Sequence, residues 1–120
     1  MKALQAEIEE IGTVAVDDME VLRRRIQNDE VPFITVDMSH PVFNGHQDEL
    51  SLLDKETLAI VVKTYAHDRF LSTSLSRFQD EQFTKLETER KTLILDAFEN
   101  RSDSLKQCRA EAIKVLSRLD

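Results

Sequence analysis

The sequence predicts an all-α protein: an antiparallel hairpin of long helices, or a small helical bundle, with an extended proline-containing loop. Three observations carry that expectation. Apolar residues recur at steps of three and four along most of the chain, the spacing that gathers side chains onto one helix face. The two prolines, Pro32 and Pro41, fall close together, and after Gly45 neither glycine nor proline occurs, so helix-breaking chemistry is confined to one stretch. The composition, with 32% charged and 41% hydrophobic residues, is rich in straight-chain residues that lose little freedom in a helix. At 120 residues the chain has room for a single domain, 1–120.

The first helix is expected over about residues 3–28. Leu4, Ile8, Ile11, Ala15, Met19, Leu22 and Ile26 follow one another at steps of 4, 3, 4, 4, 3 and 4, and the extra step of four relaxes supercoiling locally. Gly12-Thr13-Val14 is its weak point, because glycine costs about 1 kcal/mol against alanine in a helix and the β-branched neighbours add to that. Asp17 with Glu20 three residues on would suit a capping box opening a second helix; one helix with a soft spot is the preferred reading.

Residues 29–53 are expected to form the loop. Pro32 and Pro41 each lack a backbone donor and push the preceding residue toward extended conformations. Phe33-Ile34-Thr35-Val36 is apolar and β-branched enough for a strand, yet no second strand is visible to pair with it, so an extended segment laid against helices is expected. Phe33, Ile34, Val36, Val42 and Phe43 are too apolar for a plain connector. They should close one end of the bundle or form a contact surface.

A long helix is expected over about 54–99, with Ser51 or Asp54 as its N-cap and an apolar face from Leu58, Val61, Val62 and Tyr65 through Leu71, Leu75, Phe78, Phe83, Leu86, Leu93, Ile94, Ala97 and Phe98. Asn100-Arg101-Ser102-Asp103-Ser104 offers a break before a last helix over about 103–119, carried by Leu105, Cys108, Ala112, Val115 and Leu119. The seam from Ile94 through Phe98 to Leu105 keeps heptad phase, so the helix could also run straight through. Unbroken, it would reach about 100 Å, against about 39 Å for the first helix, so it must fold back or pair with another copy. The fold-back is preferred, with homodimerisation close behind.

Charge excludes one class of partner. A net charge of −7 opposes phosphate binding, and Arg23-Arg24-Arg25, flanked by acids, reads as a solvated helix face, so no nucleic acid is expected. The single cysteine, Cys108, cannot form an internal disulfide; on its apolar seam it reads as a small buried hydrophobe rather than a nucleophile. No segment has the length and apolarity of a membrane span or the pattern of a signal peptide. The chain opens inside a helical pattern, which would also suit a domain cut from a membrane-anchored protein; the sequence does not fix the compartment, and a soluble cytoplasmic form and a membrane-tethered one both fit.

Candidate chemistry is sparse. His40, His46 and Asp48 are ligand types for zinc or nickel, but their spacing matches no compact motif, and turn chemistry from Ser39-His40-Pro41 and Asn44-Gly45 explains them without a metal. His67 and Asp68 are helix neighbours that diverge by about 100° and so do not face each other. No Glu stands three residues before any His, which disfavours a di-iron bundle, and nothing glycine-rich could cradle a phosphate. Glu81-Lys85 and Glu87-Lys91, at i and i+4, mark a solvated helix face. No catalytic residue, metal or cofactor is assigned. The candidate interaction loop comprises Phe33, His40, Val42, Phe43, His46 and Asp48.

Glu49-Leu50-Ser51-Leu52-Leu53-Asp54-Lys55-Glu56-Thr57-Leu58, continuing to Tyr65 and to the stretch from Leu71 to Phe78, resembles a type of prokaryotic helical-hairpin domain of unknown function. In that type a first helix, often following a single transmembrane anchor, leads through a proline-containing loop to a leucine-rich helix start and a long helix packed back on the first. The resemblance covers residues 45–80 by motif and the rest by layout. It implies a helical hairpin and an N-terminal anchor missing from this chain, and it carries no activity or ligand.

The function expected from the sequence is a non-enzymatic structural or protein-interaction domain, bound to a partner protein or to itself. The competing expectation is a small regulatory or sensor module taking a ligand or metal at 33–48, and a third is an enzyme subunit completed by a partner.

Overall fold

The computed structural model describes residues 2–11, 19–28, 40–45 and 47–119. Within them lie α1 (Lys2–Glu9), α2 (Met19–Gln27), α3 (Pro41–Gly45), α4 (Gln47–Leu50), α5 (Lys55–Arg77), α6 (Glu81–Thr84) and α7 (Thr88–Ser117), with no strand among the described residues. The chain is an all-α helical bundle, as its periodicity predicts, and α7 is its spine. Thirty residues of α7 rise about 45 Å, close to the 48 Å longest dimension of the molecule. α5 runs antiparallel to it, bringing Phe70 to Arg101 and Phe78, at the end of α5, to Phe98. α1 and then α2 run antiparallel along another side, with Ile11 at Arg109 and Arg23 at Asp96 and Glu99.

The helix expected over 3–28 comes in two pieces. The amides of Glu10 and Ile11 bond to the carbonyls of Glu7 and Ile8, three residues back, which tightens and ends α1. The Arg109 guanidinium then donates to the Ile11 carbonyl at 2.7 Å, satisfying one of the acceptors that a helix end leaves open. Gly12-Thr13-Val14, Ala15 and Asp17 lie outside the described residues. The seam nonetheless holds across both pieces: Leu4, Ile8, Ile11, Met19, Leu22 and Ile26 are all buried. Arg23 is no solvated cation; it bridges α2 to Asp96 and Glu99 of α7, while Arg24 and Arg25 are exposed as expected.

The loop differs from the expected connector where it is described. Pro41 starts α3 rather than breaking a helix, because the first helical position needs no backbone donor and suits the fixed φ of proline. Residues 41–50 therefore hold two short helices, and the extended stretch Phe33–Val36 lies outside the described residues with Pro32.

The long helix breaks at 78–87, not at 100–104. Asp54 is its N-cap, accepting from the Thr57 amide at 2.8 Å and the Thr57 hydroxyl at 3.0 Å. The corner after α5 has neither glycine nor proline. Phe78 and Phe83 would diverge by about 140° on a continuous helix; the turn brings the Phe83 ring edge-on to Phe78, with centroids 4.9 Å apart, while Phe98 of α7 packs on Phe78 at 5.2 Å. Asp80 caps α6 by accepting from the Gln82 amide at 3.0 Å. Across 100–104 the cap-forming side chains do not stop α7. Phe98, Ser102 and Leu105 are buried there, and core packing outweighs the local preference. The face of α7 keeps Phe98, Leu105 and Ala112 as expected and differs on either side of them. Leu95 is buried where Ile94 was expected, and Leu116 where Val115 and Leu119 were; Ile94, Leu93 and Leu119 are exposed, and Cys108 is half-buried. Lys91 is buried with its ammonium 5.9 Å over the Phe83 ring, whereas Glu81–Lys85 is the exposed ion pair its spacing predicts, at 3.2 Å.

Candidate functional site

Of the six loop residues singled out, His40, Val42 and Phe43 come together, Asp48 does not, and Phe33 and His46 lie outside the described residues. What holds two of the three is a carboxylate from the N-terminal helix. Glu7 projects from α1 and accepts three hydrogen bonds: from the Val42 amide at 2.8 Å, the Phe43 amide at 3.1 Å and the Tyr65 hydroxyl at 2.6 Å. The two amides belong to the first turn of α3, which have no partner inside the helix, so Glu7 caps α3 across the tertiary structure and places its charge at the positive end. A five-residue helix is not stable alone; Glu7 anchors it.

His40 stands immediately before α3 at φ 39°, in the left-handed region that non-glycine residues rarely adopt. Its Nε2 meets Asp68 Oδ2 of α5 at 2.7 Å, and its ring sits edge-on to Tyr65 with centroids 5.0 Å apart. Phe43 stacks on the other part of Tyr65 at 4.1 Å. These contacts hold the backbone in a conformation that costs about 1–3 kcal/mol.

Electrostatics follow from this geometry. Burial pushes the Glu7 carboxyl up, but the hydrogen bonds from Tyr65, Val42 and Phe43, with the nearby His40, outweigh it and hold the group below its ordinary range. Burial, then the bond to Glu7 and the charges of Glu7 and Asp68, push the Tyr65 phenol well above its usual value. Tyr65 is thus a fixed donor.

Chemically, His40–Asp68 resembles the base and orienting carboxylate of a hydrolytic triad. No hydroxyl or thiol among the described residues bonds the second imidazole nitrogen, and the Tyr65 proton is committed to Glu7. No group of three His, Cys, Asp or Glu side chains able to hold a metal occurs among the described residues. Asp48 is exposed on α4, where its backbone carbonyl accepts from the Ser51 hydroxyl. Behind Val42 a cavity of about 620 Å³ is lined by Leu4, Leu50, Leu52 and Leu53, with Lys2 and Glu49.

Glu7, Tyr65 and Asp68 are the site residues that sequence reasoning missed. A signal existed for two of them. Glu7 lies three residues after Leu4 and four before Ile11, and Asp68 three after Tyr65 and three before Leu71, so both carboxylates interrupt an apolar seam. His67, beside Asp68, is half-buried on another face, and burial with the charges of Arg101 and Lys63 holds its imidazole below the ordinary value. Compared with known proteins, the chain matches no family model, no curated protein and no solved structure.

Proposed function

We propose that this chain is a non-enzymatic protein-interaction domain. One observation carries the reading: the Glu7 carboxylate, the Tyr65 hydroxyl and the His40–Asp68 pair at α3 are engaged in internal bonds, while large apolar side chains stand outside the core on α5 and α7. Phe70 is 49% exposed, Ile94 41% and Leu93 67%. Scattered exposed apolar residues are ordinary, but Phe70 and Ile94 line one shared depression between two rigid helices, the kind of surface that partners use.

Photo-crosslinking tests this reading in the native cell. A photoreactive phenylalanine analogue replaces Phe70 or Ile94, and exposed Lys106 serves as the control position. Adducts confined to 70 and 94 are expected. Their mass separates a partner protein from a second copy of this chain, the self-associating form of the same reading. Unreacted monomer at all three positions would overturn it.

The cavity behind Val42 favours a second reading, a small sensor module for an apolar ligand, since about 300–1,000 Å³ is the range of small-molecule sites. Binding to the folded state raises thermal stability by mass action. A panel of fatty acids, apolar metabolites, zinc and nickel should then contain a compound that raises the melting temperature of the chain and fails to raise that of Leu53→Trp, which fills the cavity. A flat response across the panel removes the sensor reading.

A further inference from the structure

We infer that the outer groove between α5 and α7 receives an acidic amphipathic helix of a partner protein, an inference that rests on the interaction-domain reading and names its partner class. The groove holds about 410 Å³ and is floored by the buried rings of Phe78, Phe83 and Phe98, with Phe70, Ile94 and Ala97 rising beside them. A second depression of about 460 Å³ continues it over α5 and shares Phe70, Ser74 and Arg77. Apolar floor is thus available where one or two large side chains of a partner would insert.

Charge selects the partner. The chain has 23 acidic and 16 basic residues, yet no acidic residue lines either depression among the described residues, and Arg69, Arg77 and Arg101 do. The Arg101 guanidinium lies 4.3 Å from the Phe70 ring centroid; stacking uses the flat face of the group and leaves its in-plane N–H donors for carboxylates. Lys63, with Arg101, acts on His67, so a further cation lies on α5 beyond the groove. The acids that α7 does carry nearby, Asp96 and Glu99, are bridged to Arg23 on the α2 side.

Three other occupants fit less well. A two-fold dimer through this face would set Arg77 and Arg101 against their own copies, and like charges across an interface oppose association. An anionic membrane or nucleic acid presents a broad charged surface that would meet the whole chain's net charge of −7, whereas one docked helix meets mainly the arginines at the groove. A helix matches the length: the α7 lining from Ile94 to Arg101 rises about 10 Å, two turns of a docked helix, whose residues at i, i+3, i+4 and i+7 would face the floor.

The test titrates the full chain with an 18-residue helical peptide carrying leucines at those positions and glutamates elsewhere, and with the same peptide carrying lysines for glutamates. Calorimetry measures affinity, and amide chemical shifts locate the site. The acidic peptide should bind at least tenfold tighter than the basic one and shift Phe70, Ile94, Ala97 and Arg101. Arg77→Glu with Arg101→Glu should reverse that preference at unchanged melting temperature; if that variant unfolds, Arg101→Gln should still weaken the acidic peptide severalfold. Equal binding of the two peptides, shifts elsewhere, or no binding at millimolar concentration overturns the inference, as does binding of phosphatidylserine vesicles in its place. Should the acidic peptide fail while photo-crosslinks at 70 and 94 still form protein adducts, the partner class is wrong and the interaction reading stands; loss of both removes both.

Discussion

Two faces of α5 handle their polar groups in opposite ways. On one, Tyr65 and Asp68 join Glu7 and His40 in a cluster whose hydrogen bonds close on each other, and among the described residues no buried side-chain polar atom lacks a partner. On the other, Phe70 and Arg77 stand at the surface with Arg101, and neither arginine forms an ion pair with a described residue. Saturation and its absence point to different roles. A half-buried carboxylate with three donors holds the fold in one arrangement, whereas exposed aromatic and cationic groups keep their interaction energy for something that arrives.

Breaking the closed cluster should have the largest effect. Glu7→Ala leaves the Tyr65 hydroxyl and two α3 amides without their acceptor and should cost about 2–3 kcal/mol, read by denaturant unfolding. Faster hydrogen exchange at Val42 and Phe43 than in the core of α7 would locate the loss at α3.

Acid should reach the same cluster. The folded-state pKa of Glu7 is depressed, so its contribution to stability is full above the ordinary carboxylate range and is lost as pH falls through the lower folded value. Unfolding free energy should therefore fall on acidification below about pH 4, near the ordinary carboxylate value, and Glu7→Gln should flatten that limb. An identical limb in the variant would place the sensitivity elsewhere.

Tyr65→Phe sharpens the comparison by keeping the ring stacked on Phe43 and removing only the hydroxyl. The expected cost is about 1 kcal/mol; a cost equal to that of Glu7→Ala would mean that the amides of α3 contribute nothing. The smallest effect belongs to the open face. Phe70→Ser should change stability by no more than about 0.5 kcal/mol, and a larger loss would show that Phe70 belongs to the core.

The seam of the N-terminal helices and the N-cap at Asp54 were legible because both are short-range: steps of three and four residues, and a side chain reaching an amide three residues on. The corner at 78–87 was not, since it depends on Phe83 of α6 and Phe98 of α7 both meeting Phe78, and nothing local at Gln79 or Lys85 marks a turn. The opposite error at 100–104 has the same source. Cap-forming side chains there are a local signal, and the burial of Ser102 and Leu105 against neighbouring helices is a stronger, non-local one. In the loop, the apolar excess at Val42 and Phe43 was visible, but not its purpose: they pack against Tyr65 and the core instead of standing free.

Sequence alone determined that this chain is helical, which residues of α1 and α2 face inward, and that chemistry-bearing residues are few, because those properties follow from spacing and composition. Tertiary structure alone decided that Glu7 and Asp68, two carboxylates set in apolar seams, cap and clamp the segment at His40–Phe43, and that Phe70 and Ile94 share a groove lined by no acid among the described residues. Those pairings join residues 28 to 58 positions apart in the chain, or helices related only by the corner between them. No periodicity encodes which face of one helix will meet another; packing settles it.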